Sequence, residues 1–333
     1  ILIIIFDMIS IKKYTEKLNN IWDDFIFKSN NGTIFHTQHF LNYHQNRKFI
    51  NHSLLFFDKD ILLAVLPAAV IKNNKNILCS HPGASFGGIV YSQNLNFITY
   101  NNIISCLEDY CLQNKFDIIR LINTPDIYNK VKDDSFNYLL QWKGFIQKEI
   151  YISHYLKNNF KNETIKFLNK RKQRYIKNIE KKNKFSYQIN EKFDLFYPIL
   201  LESKKLFQTI PTHSLEELFL LKKKFPKEVQ LLLFYHNKTV VGGSVVFLTS
   251  NNTALIFYNA INPKHKQDHL STYQLYQCMK FAKKNNKQII DFGVSHTPET
   301  KNPLDPKFSL IQFKEHFSTK GVLRIVFEKV FNE

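Results

Sequence analysis

The stretch VQLLLFYHNKTVVGGSVVFLTSNNTALIFYNA, residues 229–260, decides the fold. Its β-branched and aromatic runs fall into three strands, 229–235, 239–248 and 254–261, with a tight turn at His236–Lys238. A polar loop follows, then helical spacing over 269–285 and a short apolar strand at 288–292. Meander, helix and strand in that order describe an antiparallel sheet closed by one parallel crossover. The same order is written earlier in the chain. HSLLFFDKDILLAVLPAAV (52–70) supplies a hairpin turning at Asp58–Asp60, and SFGGIV (85–90) supplies a further strand. Phe97–Gln113 is then helical and Phe116–Leu121 a buried strand. The two copies share pattern and spacing rather than residues, and a unit this long points to duplicated domains rather than a solenoid.

Working outward, each copy gains a helical preface. Met8–Lys12 alternates as a strand, Tyr14–Ser29 carries the apolar stripe Leu18, Ile21, Trp22, Phe25 and Ile26, and Gln38–Asn46 is a shorter helix. Ile77–Ser80 is a strand, Pro125 is placed to open another helix at its first turn, and Gln141–Tyr155 is extended. In the second half, Asn162–Lys182 reads as one long basic helix with Glu163 near its positive end and Lys181 and Lys182 near its negative end. Strand Phe185–Ile189 and helices Phe193–Phe207 and Leu215–Lys224 come next, with Ser214 and Glu217 at capping-box spacing. A short segment 308–317 and a last strand 322–327 complete the chain. The expectation is a mixed α/β protein of two domains, 8–156 and 157–333, each around a mostly antiparallel sheet, joined by a linker at Lys157–Asn162.

Composition narrows the function classes. At 333 residues, each half is long enough to bury its own core. The longest apolar run, Ile61–Ile71, is about half of a membrane span and is interrupted by Pro67. Ile1–Phe6 lacks a basic leader and runs into Asp7, so it is not read as a signal peptide, and Met8 is read as the natural start. Cys79, Cys106, Cys111 and Cys278 form no CxxC pair and have no His at zinc spacing, which predicts reduced thiols, no metal and a cytoplasmic protein. The net charge of +18 favours polyanionic partners such as RNA, phosphorylated substrates or lipid headgroups. Heavy use of Lys, Asn, Ile and Phe is also the bias of an AT-rich genome, which enriches Lys without any function behind it. The 31 Phe and 16 Tyr fall mostly on apolar faces and are read as core rather than as an RNA-stacking surface.

The element order and its doubling resemble the FemAB-like branch of the GNAT acyltransferase superfamily, in which two GNAT domains lie in one chain. The residues that carry the likeness are KRKQRYIKNIEKKNKFSYQI (170–189), VVGGSVVFL (240–248), LIFYNA (255–260), QIIDFGVS (288–295) and QFKEHFSTKG (312–321), with SHPGASFGGIV (80–90) in the first half. The resemblance implies direct attack of a substrate amine on an activated acyl group. A site for this must polarise the carbonyl, accept the ammonium proton and protonate the leaving group. It implies that strands 254–261 and 288–291 splay apart and that the exposed strand backbone holds the acyl donor, with the first domain forming the far wall of the acceptor cleft.

On that basis Asp291, Tyr258 and Asn259 are the candidate catalytic residues, Asp291 as base or amine ligand at a strand's C-terminal end. Ser271, Thr272, Lys264 and Lys266 are candidates for the donor phosphate at a helix N-terminus. His81, Ser85, Ser295 and Lys314 are candidates for substrate contact, the first two because loops of that composition often line sites. A structural reading stands beside the sharpest of these: Asp291 accepting backbone N–H groups in the turn made by Gly293. Gly242–Gly243 lies inside a strand pattern without phosphate-loop spacing, so it is read as a bulge or a close approach.

Two departures keep the donor open. The loop Asn262–Thr272 has no Gly where acetyl-CoA-dependent relatives carry a Gly-rich turn, and segment 308–317 has no Tyr to act as general acid. Acyl-CoA is the first donor expected and aminoacyl-tRNA the alternative, although the helical-hairpin insertion of the tRNA-dependent enzymes is missing. The acceptor expected is the amine of a small-molecule or lipid-linked envelope precursor, such as an amino sugar or a peptidoglycan stem peptide. Peripheral membrane contact is compatible with this, and DNA is not an expected partner. A non-catalytic GNAT-fold binding module is the remaining class.

Overall fold

The structure is a computed structural model and describes residues 9–43, 49–71, 74–158, 163–206, 208–250, 252–297, 300 and 302–331. The Ile1–Phe6 stretch with Met8, the end of the helix expected at 38–46, and linker residues 159–162 lie outside the described residues. The chain forms two compact units, Ile1–Ile150 with Arg324–Glu333, and Tyr151–Leu323.

The first unit contains β1 (Ser10–Lys13), α1 (Asn19–Lys28), α2 (Gln38–Leu41), β2 (Phe49–Asn51), β3 (Leu54–Asp58), β4 (Ile61–Leu66), β5 (Ala69–Ile71) and β6 (Asn74–Ser80). It continues with β7 (Val90–Tyr91), α3 (Phe97–Gln113), β8 (Ile118–Ile122), α4 (Ser135–Trp142), the start of β9 (Ile146–Lys157) and the end of β15 (Lys320–Val330). The hairpin β3–β4 turns at Asp58–Ile61 as its sequence requires. The run 61–70 is not one strand. Pro67 cannot donate to a ladder and breaks it into β4 and β5, which enter different sheets, β1-β3-β4-β7 and β8-β6-β5-β2. The strand expected at 85–90 shrinks to Val90–Tyr91, and β6 instead takes the parallel place beside β8, Ile77 opposite Ile118. Helix α3 buries Tyr100, Ile103, Ile104, Leu107 and Cys111, one stripe at helical spacing, and Asn96 caps its start by accepting the Thr99 N–H. Pro125 opens only a single 3-10 turn, Asp126–Tyr128, and the helix starts later at Ser135.

The second unit contains the rest of β9, α5 (Lys170–Lys181), β10 (Ser186–Asn190), α6 (Phe193–Lys205), α7 (Leu215–Lys224), β11 (Val229–His236), β12 (Thr239–Leu248) and β13 (Thr253–Ile261). Helix α8 (Leu270–Lys284), β14 (Ile289–Val294), α9 (Phe308–Glu315) and the start of β15 follow. Its sheet runs β10-β11-β12-β13-β14-β9, with antiparallel pairings except for the parallel β13–β14 pair. The basic helix does not span 162–182. Residues Thr164–Phe167 form a 3-10 turn, Leu168 and Asn169 are extended, and the Asn169 side chain accepts the Lys172 N–H, so the α-helix starts at Lys170. Glu163 therefore stands at the N-cap position of the 3-10 turn, without a side-chain cap bond, and is not in the first turn of α5. Ser214 and Glu217 form the expected capping box, each accepting the other's backbone N–H.

The two glycines of β12 serve packing. A Cβ on Gly242 would lie 2.2 Å from the Gln274 side chain on α8, and one on Gly243 2.4 Å from the Phe196 ring on α6. Successive residues of a strand face opposite sides of the sheet. The pair thus lets two helices close on the two faces of one strand, and no phosphate loop is present there.

Candidate active site

Strand β13 pairs with β14 over three positions only, Thr253 with Ile289, Ala254 with Ile290 and Leu255 with Asp291. Beyond Leu255 it runs on to Ile261 while β14 turns away, and among the described residues no strand takes that edge of β13. On its other edge β13 stays paired with β12 through a bulge: Val246 faces Ile256 and Val245 faces Tyr258, leaving Phe257 as the extra residue. The splay expected between these strands is therefore present, and beyond Leu255 that edge of β13 has no strand partner among the described residues.

Three side chains hold β14 in its turn. Asp291 is fully buried, and its Oδ1 accepts the Ser153 hydroxyl at 2.9 Å and the Gly293 N–H at 2.7 Å. Gly293 has φ of +74°, a conformation that favours glycine. From α9, Lys314 Nζ donates to the Gly293 and Val294 carbonyls at 2.7 and 2.8 Å and to Ser295 Oγ at 2.9 Å. An ammonium has three N–H groups, and here each reaches an oxygen. His154 Nδ1 lies 3.1 Å from Ser295 Oγ. Burial, and then the Lys314 charge, push the His154 pKa down and favour a neutral ring, whose Nδ1 accepts the serine hydroxyl in the tautomer with its proton on Nε2. Asp291, Ser295 and Lys314 are thus brought together, in a buried network at the root of the splay.

Tyr258 and Asn259, adjacent on β13, face opposite sides of the sheet. Asn259 faces α8: Ser244 donates to its Oδ1 at 2.7 Å, and its Nδ2 donates to Ser271 Oγ at 3.2 Å. Ser271 and Thr272 sit in the first turn of α8, whose N-cap, His269, provides no side-chain cap to the helix N–H groups. Lys264 and Lys266 lie on the exposed turn before it. A residue not singled out from sequence closes this end. Lys172 of α5 is buried, donates to Thr272 Oγ1 at 3.1 Å, and stands 4.0 and 4.9 Å from the Phe313 and Phe317 ring centroids. Burial and the neighbouring Arg171 charge lower its pKa to about 8.

On the other face, Tyr258 is buried beneath the α6–α7 connection. Its hydroxyl accepts the His213 N–H at 3.2 Å and lies 3.1 Å from His213 Nδ1, while Tyr197 donates to the His213 carbonyl at 3.2 Å. Burial raises the Tyr258 pKa, so the phenol stays protonated and its O–H is placed to donate to Nδ1. Lys204 Nζ stands 5.9 Å from the Tyr258 ring centroid. His213, Tyr197 and Lys204 were not apparent from sequence, although the Pro211–His213 loop composition is the kind that lines sites.

His81 and Ser85 belong to the other unit. His81 is buried, accepts the Gly83 N–H on Nδ1 at 3.1 Å and stands edge-on to Phe49, while Ser85 is half-buried in the same loop. No group of metal-ligating side chains occurs among the described residues, and no helix there is long and apolar enough to cross a membrane.

Two α/β units, the second with a parallel pairing that ends after three positions beside a helix N-terminus, make up the fold of tandem GNAT proteins. Among solved structures, the chain is similar to FemX, with a TM-score of 0.69 and 11% identity over 97% of this chain and 98% of that one. It is similar to a tandem GNAT protein from the clavulanic acid biosynthesis pathway, at a TM-score of 0.54 and 7% identity over 97% and 98%. The C-terminal domain of a putative lysylphosphatidylglycerol synthetase from Agrobacterium fabrum gives 0.57 and 6% over 94% and 91%. No family model and no curated protein sequence matches the chain.

Proposed function

We propose that the chain is an N-acyltransferase that moves an acyl group from acyl-CoA to the amine of a cell-envelope precursor, an amino sugar or a peptidoglycan intermediate. The observation that carries this reading is the early end of the β13–β14 pairing at Leu255–Asp291, which leaves the β13 backbone free to bond an acyl donor. The donor's phosphates would lie at the first turn of α8, near Ser271, Thr272 and Lys172, where helix N–H groups and an ammonium favour an anion. Lys264 and Lys266 would supply long-range attraction from the exposed turn.

In this reading the amine approaches from the Tyr258 face and attacks the acyl carbon. The bond to the leaving group breaks, and the ammonium loses a proton as the leaving group gains one. Tyr258, kept protonated by burial, is the proton donor: its one O–H turns from His213 Nδ1 to the leaving group, while the His213 backbone N–H keeps hold of the phenol oxygen. Asn259 aligns the strand with α8. Asp291, Ser295 and Lys314 act by fixing the end of β14; the engagement of Asp291 Oδ1 by the Ser153 hydroxyl and the Gly293 N–H favours this positioning role over direct contact with the amine.

Aminoacyl-tRNA is the second reading. It is favoured by the glycine-free Asn262–Thr272 loop and by the exposed row Lys170, Arg174, Lys177 and Lys181 along α5, for which no carboxylate partner occurs among the described residues.

Amine-dependent release of CoA thiol from acetyl-CoA and longer acyl-CoAs, assayed over a panel of amino sugars and muropeptides, tests the first reading. Tyr258→Phe is expected to lower kcat by about 10²-fold or more with the fold intact, the usual range for a lost general acid. Unchanged turnover in Tyr258→Phe would remove that assignment. Transfer from aminoacyl-tRNA alone would favour the second reading.

A further inference from the structure

Lys204 lies in the last turn of helix α6, and its side chain passes into the space over the Tyr258 ring. It is half-buried, and burial alone pushes its pKa down. Among the described residues no carboxylate pairs with it. The acids of the first turn of α7, Glu216 and Glu217, act on Tyr197 and not on Lys204. A cation drawn out of water without a counter-charge is costly, and the ring face at 5.9 Å offsets little of that at the limit of cation–π range. By contrast two other half-buried lysines of this unit have oxygen partners: Lys184 bonds Asp268 at 2.6 Å, and Lys287 bonds the Ser250 carbonyl at 2.6 Å.

The position of Lys204 says which substrate would supply the missing anion. Tyr258 and Asn259 point to opposite faces of β13, so Lys204 and His213 stand across the strand from Ser271, Thr272 and Lys172. The α8 end already offers a helix terminus and an ammonium to a donor phosphate. Lys204 is a second, separate cation on the opposite face, 5.9 Å from the Tyr258 ring centroid. The connection that covers it also carries Leu206 and Ile210, 66% and 84% exposed.

We propose that Lys204 binds an anion on the acceptor itself, so that the acceptor is an amine bearing its own phosphate close to the nucleophilic nitrogen. This rests on the transferase reading for the name "acceptor", but the binding claim is independent of turnover. The phosphate can belong to a soluble metabolite or to a lipid headgroup; the exposed Leu206 and Ile210 suit the second.

Isothermal titration of the full chain with phosphoethanolamine, with ethanolamine, and with vesicles containing phosphatidylethanolamine in a phosphatidylcholine background separates these cases. Phosphoethanolamine, or the phosphatidylethanolamine vesicles alone if the source is a lipid, is expected to bind, and ethanolamine at least tenfold more weakly. Lys204→Met, which keeps the apolar stem over Tyr258, is expected to lose that binding by tenfold or more, and Lys204→Arg to retain it. Binding of neither phosphate ligand, equal binding of ethanolamine, or full binding by a folded Lys204→Met would overturn the proposal. Acetyl-CoA titrated into the same samples reports on the donor side. A chain that binds phosphoethanolamine through Lys204 but no acyl donor would keep this inference and lose the transferase reading.

Discussion

In the proposed mechanism Asp291 shapes the site from within, without touching substrate. With Oδ1 taking the Ser153 hydroxyl and the Gly293 N–H, Asp291→Asn keeps an oxygen acceptor and is expected to cost about 1 kcal/mol or less. Asp291→Ala leaves both donors without it and is expected to cost about 2–4 kcal/mol, read from urea midpoints. An Asn variant that folds normally and loses all transfer would instead restore a direct role in proton transfer. Lys172 gives a pH signature. Its folded pKa of about 8 lies below the ordinary 10.5, so between those values the unfolded chain holds more protons and stability rises with pH. Below pH 8 the buried charge opposes folding. The stability difference between wild type and Lys172→Met should therefore shift in favour of wild type as pH climbs from 8 to 10; a constant difference would show that Lys172 titrates normally.

The spacing of single elements carried much of this site, and tertiary contact carried the rest. Helices 97–113 and 215–224 and strand 239–248 have the bounds their patterns predict, because their caps and apolar stripes are local. The start of α5 was misplaced because the Asn169 cap is one polar residue in a run of them. The buried positions Lys172, Ile176 and Ile179 follow helical spacing, so the burial of Lys172 could have been read from the stripe it shares. The His213–Tyr258 contact could not: it joins residues 45 apart through the fold of α6 over β13. The glycine pair of β12 was legible as close packing but not as to partner. Gly242→Ala and Gly243→Ala are each expected to lower stability by about 1–3 kcal/mol, measured by thermal unfolding, because a new Cβ meets Gln274 or Phe196. A neutral effect at either would mean that the helix above it is free to shift.

At the scale of the chain, the repeated order of hairpin, helix and strand announced two units, and two are present. The repeat hid a difference between them. In the second unit the meander is continuous through β12; in the first, Pro67 divides the corresponding run between two sheets. The pattern of apolar residues is the same in both because each stretch is still extended and buried, which is all that alternation reports. The end of the chain, read as the second domain's last strand, supplies Val326–Val330 to the sheet of the first unit opposite Ile118–Ile122, a pairing that depends on long-range register rather than local propensity.

The account rests on the open edge of β13 holding an acyl donor beside α8. Thermal unfolding of the full chain with acetyl-CoA, longer acyl-CoAs and aminoacyl-tRNA tests that most directly, since a ligand stabilises the folded chain only if it prefers it, by about 2.7 kcal/mol at a hundred times Kd. The account predicts a saturable rise in unfolding temperature with one donor class, strongest for acyl-CoA and reduced in Lys172→Ala. Unchanged unfolding with every donor would contradict it.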